Sequence, residues 1–251
     1  MARCSEKGCK NGATERRVIS KAGECVKSRP VCKNHFLGGI GKQDLGVTKG
    51  FYDGFRIVIA NGPPGAGKDT TIEELCEGLS FKGKGRAFIL SYKKTLYKAV
   101  AKRWGLDVEY VQGLNEDRGT KEVPMECFGG LSVREALISE SEDHIKAQYG
   151  EDGVARITID ELLEEINPEP HETILLLNPD GGFNAEADYI KERLGLTDEQ
   201  LFVIRLLRKN CSFQNDSREF LRNPRLIIHN EHSKEWLSEQ VVKPVQKWLD
   251  E

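Results

Sequence analysis

One stretch limits what this chain can fold into more than any other. Residues 55–61, FRIVIAN, form an apolar, β-branched run that suits a buried strand, and GPPGAGKDT follows at residues 62–70. The next residues, TIEELCEGL, place apolar side chains at helical spacing. A strand, a glycine-rich loop and a helix in this order predict a phosphate-binding loop, because backbone N–H groups and the helix start can surround phosphate oxygens.

The loop predicts a nucleotide site whose residues have separate tasks. Lys68 is expected to reach the β- and γ-phosphates, and a hydroxyl is expected to complete a Mg²⁺ shell. The common pattern has Ser or Thr directly after the lysine, but here Asp69 holds that position. The metal-side group is then Asp69 acting through water, Thr70 or Thr71, and the sequence leaves all three open. The predicted nucleotide-binding residues of the loop are Gly62, Gly65, Ala66, Gly67, Lys68, Asp69, Thr70 and Thr71.

The rest of residues 55–251 alternates apolar runs with helical patterns. The strand-like segments are GRAFILSY, ETILLLNPDGG, LFVIRLLR and RLIIHN. Capping boxes at Ser132 to Glu135 and Thr158 to Glu161 predict the starts of two of the helices. Near-continuous apolar strands between helices are typical of a parallel sheet that is buried on both faces. The predicted fold class is therefore α/β, with helices covering both faces of a parallel sheet.

Residues 1–41 differ from the rest and predict a small zinc-binding module. Four of the seven cysteines fall within the first 32 residues, around a possible hairpin at residues 13–26. So short a segment buries little apolar surface, and a metal would supply the missing folding energy. The alternative is a flexible basic arm with free thiols. The ligands predicted for one Zn²⁺ are Cys4, Cys9, Cys32 and His35, with Cys25 as the alternative to one of them.

The N-terminal segment also differs in charge. Residues 1–42 hold ten Lys and Arg against three Asp and Glu, a formal charge of about +7 in a chain whose net charge is −3. A compact basic module is suited to contact the phosphates of DNA. The Gly-rich residues 42–54 are predicted to be a linker to the main domain, residues 55–251.

Several motifs, in order, resemble the deoxynucleoside monophosphate kinases of tailed bacteriophages. They are GKDT, DRGTKE, SVREAL, NPDGGFNAEADYI and LIIHNEHSKEWL. The loop form GxPGxGK-x-T is also similar to that of adenylate kinase and its relatives. The resemblance covers residues 56–251 and implies a P-loop kinase fold, ATP with Mg²⁺, and a nucleoside monophosphate acceptor. Two features depart from the family: Gly181-Gly182 stand where it usually has an Arg, and it usually lacks the N-terminal module.

The candidate catalytic residues are Lys68, Asp180, Arg208 and Arg218. Asp180 ends a strand and is expected to hold Mg²⁺ through water or to orient the acceptor, although a turn or cap aspartate is an equal alternative. Residues 207–225, named here the lid segment, together with Arg205 just before them carry five arginines where related kinases place a closing lid. Arginines there would stabilise charge that develops during phosphoryl transfer. The alternative is a basic surface loop.

The predicted acceptor-binding residues are Arg118, Lys121 and Arg134. Arg118 and Lys121 lie in a long polar stretch, which a solvated loop would explain equally well. Arg134 lies in the first turn of a helix, where a cation opposes the helix dipole and so indicates a ligand phosphate. By resemblance alone, Asn230 is expected near the adenine.

Three functions remain after this reading. The first is phosphorylation of free (deoxy)nucleoside monophosphates by ATP, and the second is phosphorylation of nucleic acid, such as hydroxymethylated bases in phage DNA. The third, a P-loop regulator without activity, is disfavoured by the arginines of the lid segment. No apolar run approaches the roughly 18 residues of a membrane span, and the N-terminus lacks the apolar stretch of a secretory signal. We expect a cytoplasmic protein, in the host cytoplasm if viral, with no membrane partner; a homodimer stays open.

Overall fold

The chain divides into two units, Met1–Phe51 and Tyr52–Glu251. The computed structural model describes residues 15–17, 29–31, 54–166, 168–169, 171–214 and 216–251. In the first unit, strands β1 (Glu15–Arg17) and β2 (Arg29–Val31) pair antiparallel, so the second strand lies later than the predicted hairpin at residues 13–26. The residues predicted to hold Zn²⁺ lie outside the described part of the chain; they are Cys4, Cys9, Cys32, His35 and the alternative Cys25.

The second unit is built on a five-stranded parallel sheet. Its strands are β3 (Phe55–Asn61), β4 (Gly85–Ile89), β5 (Thr173–Gly181), β6 (Leu201–Leu207) and β7 (Leu226–His229). Their spatial order is β4-β5-β3-β6-β7, and every neighbouring pair is parallel. The strand that leads into the glycine-rich loop is therefore central, and the ends of β5 and β6 lie on either side of that loop.

Helices connect these strands and pack against them. They are α1 (Lys68–Gly78), α2 (Tyr92–Trp104), α3 (Val108–Glu116), α4 (Val133–Ser139), α5 (Ala147–Tyr149), α6 (Gly153–Glu165), α7 (Asn184–Leu194) and α8 (Lys234–Leu249). A π-helical segment, Glu140–Lys146, joins α4 to α5. No helix in the described part of the chain combines the length and the apolar character needed to cross a membrane.

The predicted α/β class is confirmed by how the sheet buries its two faces. Alternate residues of β3 enter different cores, with Ile57 and Ile59 on one face and Val58 and Ala60 on the other. The first face packs against α6 and α7, and the second packs against α1 and α8. Because each fully buried aliphatic side chain contributes about 1.5–3 kcal/mol, the double burial fixes the central strand firmly beneath the loop.

A third, smaller core lies in the segment between β4 and β5. It joins side chains of α2, α3 and α4, among them Val100, Val111 and Val133, around the buried Phe128. Its buried residues differ from those of the two sheet cores, although Leu96 of α2 packs against both it and the first sheet core. This part of the second unit is named here the lobe. The lobe contains the polar stretch with Lys121 and the helix with Arg134.

One predicted capping box is confirmed and the other is wrong. Ser132 caps α4, because Glu135 N donates to its hydroxyl and Ser132 N donates to the Glu135 carboxylate at 2.8 Å. Thr158 instead lies inside α6, which begins five residues earlier, and its hydroxyl donates to the Val154 carbonyl at 2.8 Å. A threonine inside a helix can satisfy its hydroxyl by bonding a carbonyl of the preceding turn. Thr158 does so, and the prediction that it starts a helix was therefore wrong. The helix Val108–Glu116 was not predicted.

Candidate functional site

The phosphate loop is shaped by glycines that its neighbours require. Gly65 and Gly67 have φ angles of 79° and 99°, in the left-handed region that favours glycine. A Cβ on Gly67 would lie 2.3 Å from the Asn230 side-chain amide, and one on Gly62 would lie 2.7 Å from the Leu206 carbonyl oxygen. The loop therefore packs directly against β6 and the end of β7. Helix α1 begins at the next residue, so its free N–H groups face the loop.

Asn230 supports the loop. It is buried, and its side-chain amide donates to the Ala66 carbonyl at 2.8 Å. Its backbone N–H donates to the Leu207 carbonyl at 2.7 Å, which fixes the residue at the end of the sheet. The contact that the structure gives Asn230 is thus with the loop backbone.

Lys68 is folded inside the loop. It is buried, and its ammonium donates to the carbonyls of Gly62 at 2.7 Å and Pro63 at 3.0 Å. Burial, and then the nearby charges of Arg218 and Lys93, lower the pKa of Lys68 to about 8. The loop thus holds a desolvated cation that a phosphate oxygen would stabilise.

The hydroxyls after Lys68 have different surroundings. Thr71 is buried, and its hydroxyl donates to the Gly67 carbonyl at 2.9 Å, so it belongs to the helix. Thr70 is half-buried in the first turn of α1 and is the better placed hydroxyl for a metal or phosphate. Asp69 is exposed, and its carboxylate pairs with Lys93 at 2.9 Å.

Asp180 ends β5 as a buried carboxylate with several partners. Its Oδ1 lies 3.1 Å from the Lys93 ammonium, and its Oδ2 accepts from the Ser91 hydroxyl at 3.1 Å and from the Lys93 N–H at 3.3 Å. The Asp180 N–H donates to the Asn178 side chain at 2.7 Å. Asp180 is therefore held toward the start of α2, close to the loop residue Asp69 through their shared lysine.

Lys93 is a site residue that sequence analysis missed. It is the second residue of α2, where a cation opposes the helix dipole, and this unfavourable position was the available signal. Burial disfavours its charge, but Asp180 and Asp69 more than compensate and hold the pKa of Lys93 well above its ordinary value.

The two carboxylates fit a magnesium ion that arrives with a nucleotide. Asp69 and Asp180 approach one cation, the Lys93 ammonium, within 2.9 and 3.1 Å. Mg²⁺ is commonly held by one or two carboxylates together with substrate phosphates and water, and Thr70 adds a hydroxyl nearby. Among the described residues no group of three or more His, Cys, Asp or Glu could hold a metal without such a substrate.

The lid segment is tied to the ends of the central strands. The buried Asn61 side chain donates to the carbonyls of Gly181 at 3.1 Å and Glu219 at 3.0 Å, and accepts from Leu221 N at 2.9 Å. Glu219 N also donates to the Gly182 carbonyl at 2.8 Å. Asn61, a second missed residue, thus joins β3, β5 and the lid segment. A polar residue at the end of an otherwise apolar strand was the signal for it.

Arg218 fills the space above Gly182. A Cβ on Gly182 would lie 2.6 Å from the Arg218 side chain, so the arginine stem crosses the strand end where a larger residue would otherwise stand. Its guanidinium pairs with Asp216 at 2.5 Å, and its charge also acts on Lys68, Lys121 and Glu186. The glycine pair therefore admits an arginine that comes from the lid segment.

The other arginines of this region have different tasks. Arg208 donates to the Gly65 carbonyl at 3.1 Å and so contacts the phosphate loop directly. Arg222 pairs with Asp188 of α7 at 3.0 Å, and both side chains are exposed. Arg205 donates to the Leu221 carbonyl, and Arg225 donates to the Asp198 carbonyl. Of these five arginines, Arg208 contacts the loop directly, and Arg218 acts on Lys68 through its charge.

The lobe brings Lys121 and Arg134 together. Arg134 N lies 3.4 Å from the Lys121 carbonyl, and the Arg134 guanidinium pairs with Glu122 at 3.1 Å. Burial, then Arg134, Lys93 and Arg218, lower the pKa of Lys121. Arg118 is exposed, and no contact within the described residues joins it to this pair.

A buried carboxyl, Glu186, lies behind the site in the first turn of α7. It is 4% exposed, and burial raises its pKa to about 8, with the Asp180 charge acting in the same direction. The buried Lys146 is its largest favourable charge, but that lysine also pairs with Glu142 at 2.9 Å. Glu186 is therefore largely protonated at neutral pH, a state that no sequence motif indicated.

A cavity of about 500 Å³ opens between the loop and the lid segment. Its lining includes Pro63, Arg208, Cys211 and the aromatic pair Phe213 and Phe220, whose ring centres are 5.0 Å apart. A cavity of similar volume lies elsewhere, between α2 and α6, and several of its charges are paired, as in Lys98 with Glu161 at 2.8 Å. The first cavity has the apolar, aromatic character of a nucleoside site.

Comparisons with known proteins find likenesses among solved structures. No protein-family model matches the chain, and no curated protein matches it. The APS kinase CysC of Mycobacterium tuberculosis, solved as a cysteine-to-alanine mutant, is 14% identical, with 76% of this chain and 97% of that chain covered and a TM-score of 0.37. A TM-score this low establishes neither a shared substrate nor a shared mechanism.

Proposed function

We propose that this protein is an ATP-dependent phosphotransferase whose acceptor is a (deoxy)nucleoside monophosphate. The observation that supports this proposal is a set of five cations from five separate segments that act on one another across one cleft. They are Lys68 of the loop, Lys93 of α2, Lys121 of the polar stretch, Arg134 of α4 and Arg218 of the lid segment. Burial and the neighbouring cations lower the pKa values of Lys68 and Lys121, so an anionic ligand at this site would stabilise their charged forms.

The donor side would hold the triphosphate. The loop N–H groups, the start of α1 and Lys68 suit the β- and γ-phosphates, and the aromatic cavity beside Arg208 suits the nucleoside. Asp69, Thr70 and Asp180 would hold Mg²⁺, which lowers the charge on the phosphoryl group when bound. Arg218, anchored above Gly182, would stabilise the charge that develops during transfer.

The acceptor side would hold a single phosphate. Lys121 and Arg134 lie on the separate lobe and share an electrostatic environment with Arg218 and Lys93. A dianionic phosphate accepts both a lysine and the fork of an arginine. The Arg218 side chain lies against Gly182, close to the position after Asp180 where the resemblance expected an arginine, and this supports a mononucleotide acceptor.

A second candidate, phosphorylation of DNA, rests on the charge of about +7 in residues 1–42.

We also propose the zinc module, residues 1–41, with its linker, residues 42–54, as part of either function. Native mass spectrometry of freshly purified protein should show one zinc ion per chain. A measured mass that corresponds to the chain without bound metal would contradict the proposed zinc module.

The deciding experiment offers the full-length protein ATP labelled at the γ-phosphate. One arm contains a panel of (deoxy)nucleoside monophosphates, and the other contains DNA with and without hydroxymethylpyrimidines. We expect label in a nucleoside diphosphate, and no label with Lys68→Ala. Label in DNA alone, with a steep loss of activity as salt rises, would replace the first function by the second.

A further inference from the structure

Lys93 lies between two carboxylates. Its ammonium lies 2.9 Å from Asp69 and 3.1 Å from Asp180, and these are the two carboxylates suited to a divalent cation. They belong to different elements, the first turn of α1 and the end of β5. The lysine therefore links the donor loop to the strand end at the position that a metal would neutralise.

The positive charges around Lys93 already balance its two carboxylates. Asp69 and Asp180 act on Lys68 as well as on Lys93, so two ammonium groups already face two carboxylates. Arg218 adds a further positive charge to the same surroundings. A bare divalent cation thus meets no net negative charge here, whereas a nucleotide triphosphate would supply several negative charges of its own.

We propose that Lys93 is a resident counter-ion that occupies the carboxylate pair until a nucleotide-bound divalent cation replaces it. Lys93 thus prevents the binding of free metal and releases Asp69 and Asp180 only when the triphosphate is present. The released ammonium then adds to the cations that face the transferred phosphate. This inference rests on the proposed nucleotide site, but it concerns the order in which the metal and the nucleotide can bind.

The test uses Mn²⁺ as a probe, counted by its electron paramagnetic resonance signal, with no nucleotide and no turnover. Wild-type protein should bind Mn²⁺ only weakly, at millimolar concentrations. Lys93→Met should bind one Mn²⁺ at least tenfold more tightly, because two carboxylates lose their counter-ion. Lys94→Met is the matched control: Lys94 is the next residue, is exposed and forms no ion pair within the described residues.

A second pair of measurements assigns the site and the exchange. Adding Asp180→Asn to Lys93→Met should abolish the gained Mn²⁺ site. A non-hydrolysable ATP analogue should reduce the difference between wild type and Lys93→Met to less than about threefold, because the nucleotide brings its own negative charge. Lys93→Gln serves the same purpose if Lys93→Met does not fold, as judged by circular dichroism.

The possible outcomes are distinct. Tight Mn²⁺ binding by nucleotide-free wild type would overturn the inference, as would equal affinities of Lys93→Met and Lys94→Met. A difference that persists with the ATP analogue would overturn the exchange. If Lys93→Met gains the Mn²⁺ site but no acceptor is ever phosphorylated, the proposed function fails and the counter-ion role of Lys93 stands.

Discussion

The two proposed sides of the site, the donor side around the loop and the acceptor side around Lys121 and Arg134, are built in different ways. On the donor side, the loop packs against β6 and Asn230, and Lys68 is buried against two carbonyls of its own loop. On the acceptor side, Arg134 is exposed, is paired with an exposed glutamate, and lies on a lobe with its own small core. One side is fixed by backbone contacts, and the other depends on a few side-chain cations.

This difference indicates where selectivity lies. A triphosphate is the same for every acceptor, so a rigid site serves it well. The acceptor varies in its base and sugar, and a separate lobe can change without disturbing the central strand. We therefore expect substitutions on the donor side to reduce turnover, and substitutions on the acceptor side to change the apparent affinity for one substrate.

The largest effect is expected at Lys68. Lys68→Ala should lower kcat by about 10²–10³-fold, because the loop loses its one buried cation at the triphosphate. Its melting curve should stay close to wild type. Lys84→Ala is the control, since Lys84 is an exposed lysine that pairs with an exposed glutamate. If Lys68→Ala turned over within twofold of wild type, the loop would have no part in the reaction.

Arg218 should show the next largest effect. Arg218→Ala is expected to lower kcat by about 10–100-fold with little change in the KM for ATP, because its charge matters most during transfer. Arg222→Ala is the matched control from the same segment, where both partners of the ion pair are exposed. Similar results for both variants would make Arg218 a structural arginine.

On the acceptor side, Lys121→Ala should raise the acceptor KM by about tenfold while the KM for ATP stays within twofold. Arg118→Ala, from the same polar stretch, is expected to change the acceptor KM less, since Arg118 is exposed and lacks a contact with the described cations. Steady-state kinetics with each substrate varied in turn separate these cases. An equal rise in both KM values after Lys121→Ala would show that the two sides do not bind their substrates separately.

The smallest effect concerns stability, at a residue behind both sides. The folded-state pKa of Glu186, about 8, is above the ordinary value of 4.5, so the folded protein keeps a proton that the unfolded chain releases. Its contribution to stability therefore falls as the pH rises from about 4.5 to 8. Glu186→Gln mimics the protonated carboxyl and should add about 1–3 kcal/mol to the free energy of unfolding at pH 7.

Urea denaturation at two pH values checks this expectation. The gain from Glu186→Gln should be close to zero at pH 4.5 and largest at pH 8, with kcat and both KM values unchanged. Glu192→Gln, the same change at an exposed carboxyl of the same helix, is the matched control without a buried charge. A gain that does not depend on pH would mean that the carboxyl is ionised in the folded protein.

The donor side was predictable from sequence because its signal is local. A strand, a glycine loop and a helix are adjacent in the chain, so this arrangement and the place of Lys68 in it could be predicted without knowing the fold. The same holds for the α/β class, which follows from apolar runs that alternate with helical patterns. Local rules also explain why the Ser132 cap was predicted correctly.

The missed residues act through contacts that are distant in sequence. Lys93 reaches Asp180 only because β4 and β5 are neighbours in the sheet. Asn61 bonds the lid segment only because that segment returns to the strand ends. The role of Gly182 depends likewise on Arg218, thirty-six residues later in the sequence. Thr158 is the opposite case: its local pattern predicted a helix start, but the residue lies inside a helix and bonds the Val154 carbonyl.

The packing of the phosphate loop bears on how such signatures should be interpreted in other chains. A side chain at Gly67 would collide with Asn230, and one at Gly62 would collide with the backbone of β6. These two glycines are thus required by the protein's own interior, whether or not a nucleotide ever binds. A chain that had lost catalysis would still need both glycines to fold. The glycine pattern therefore indicates the fold, and evidence of activity must come from the charged residues around the loop.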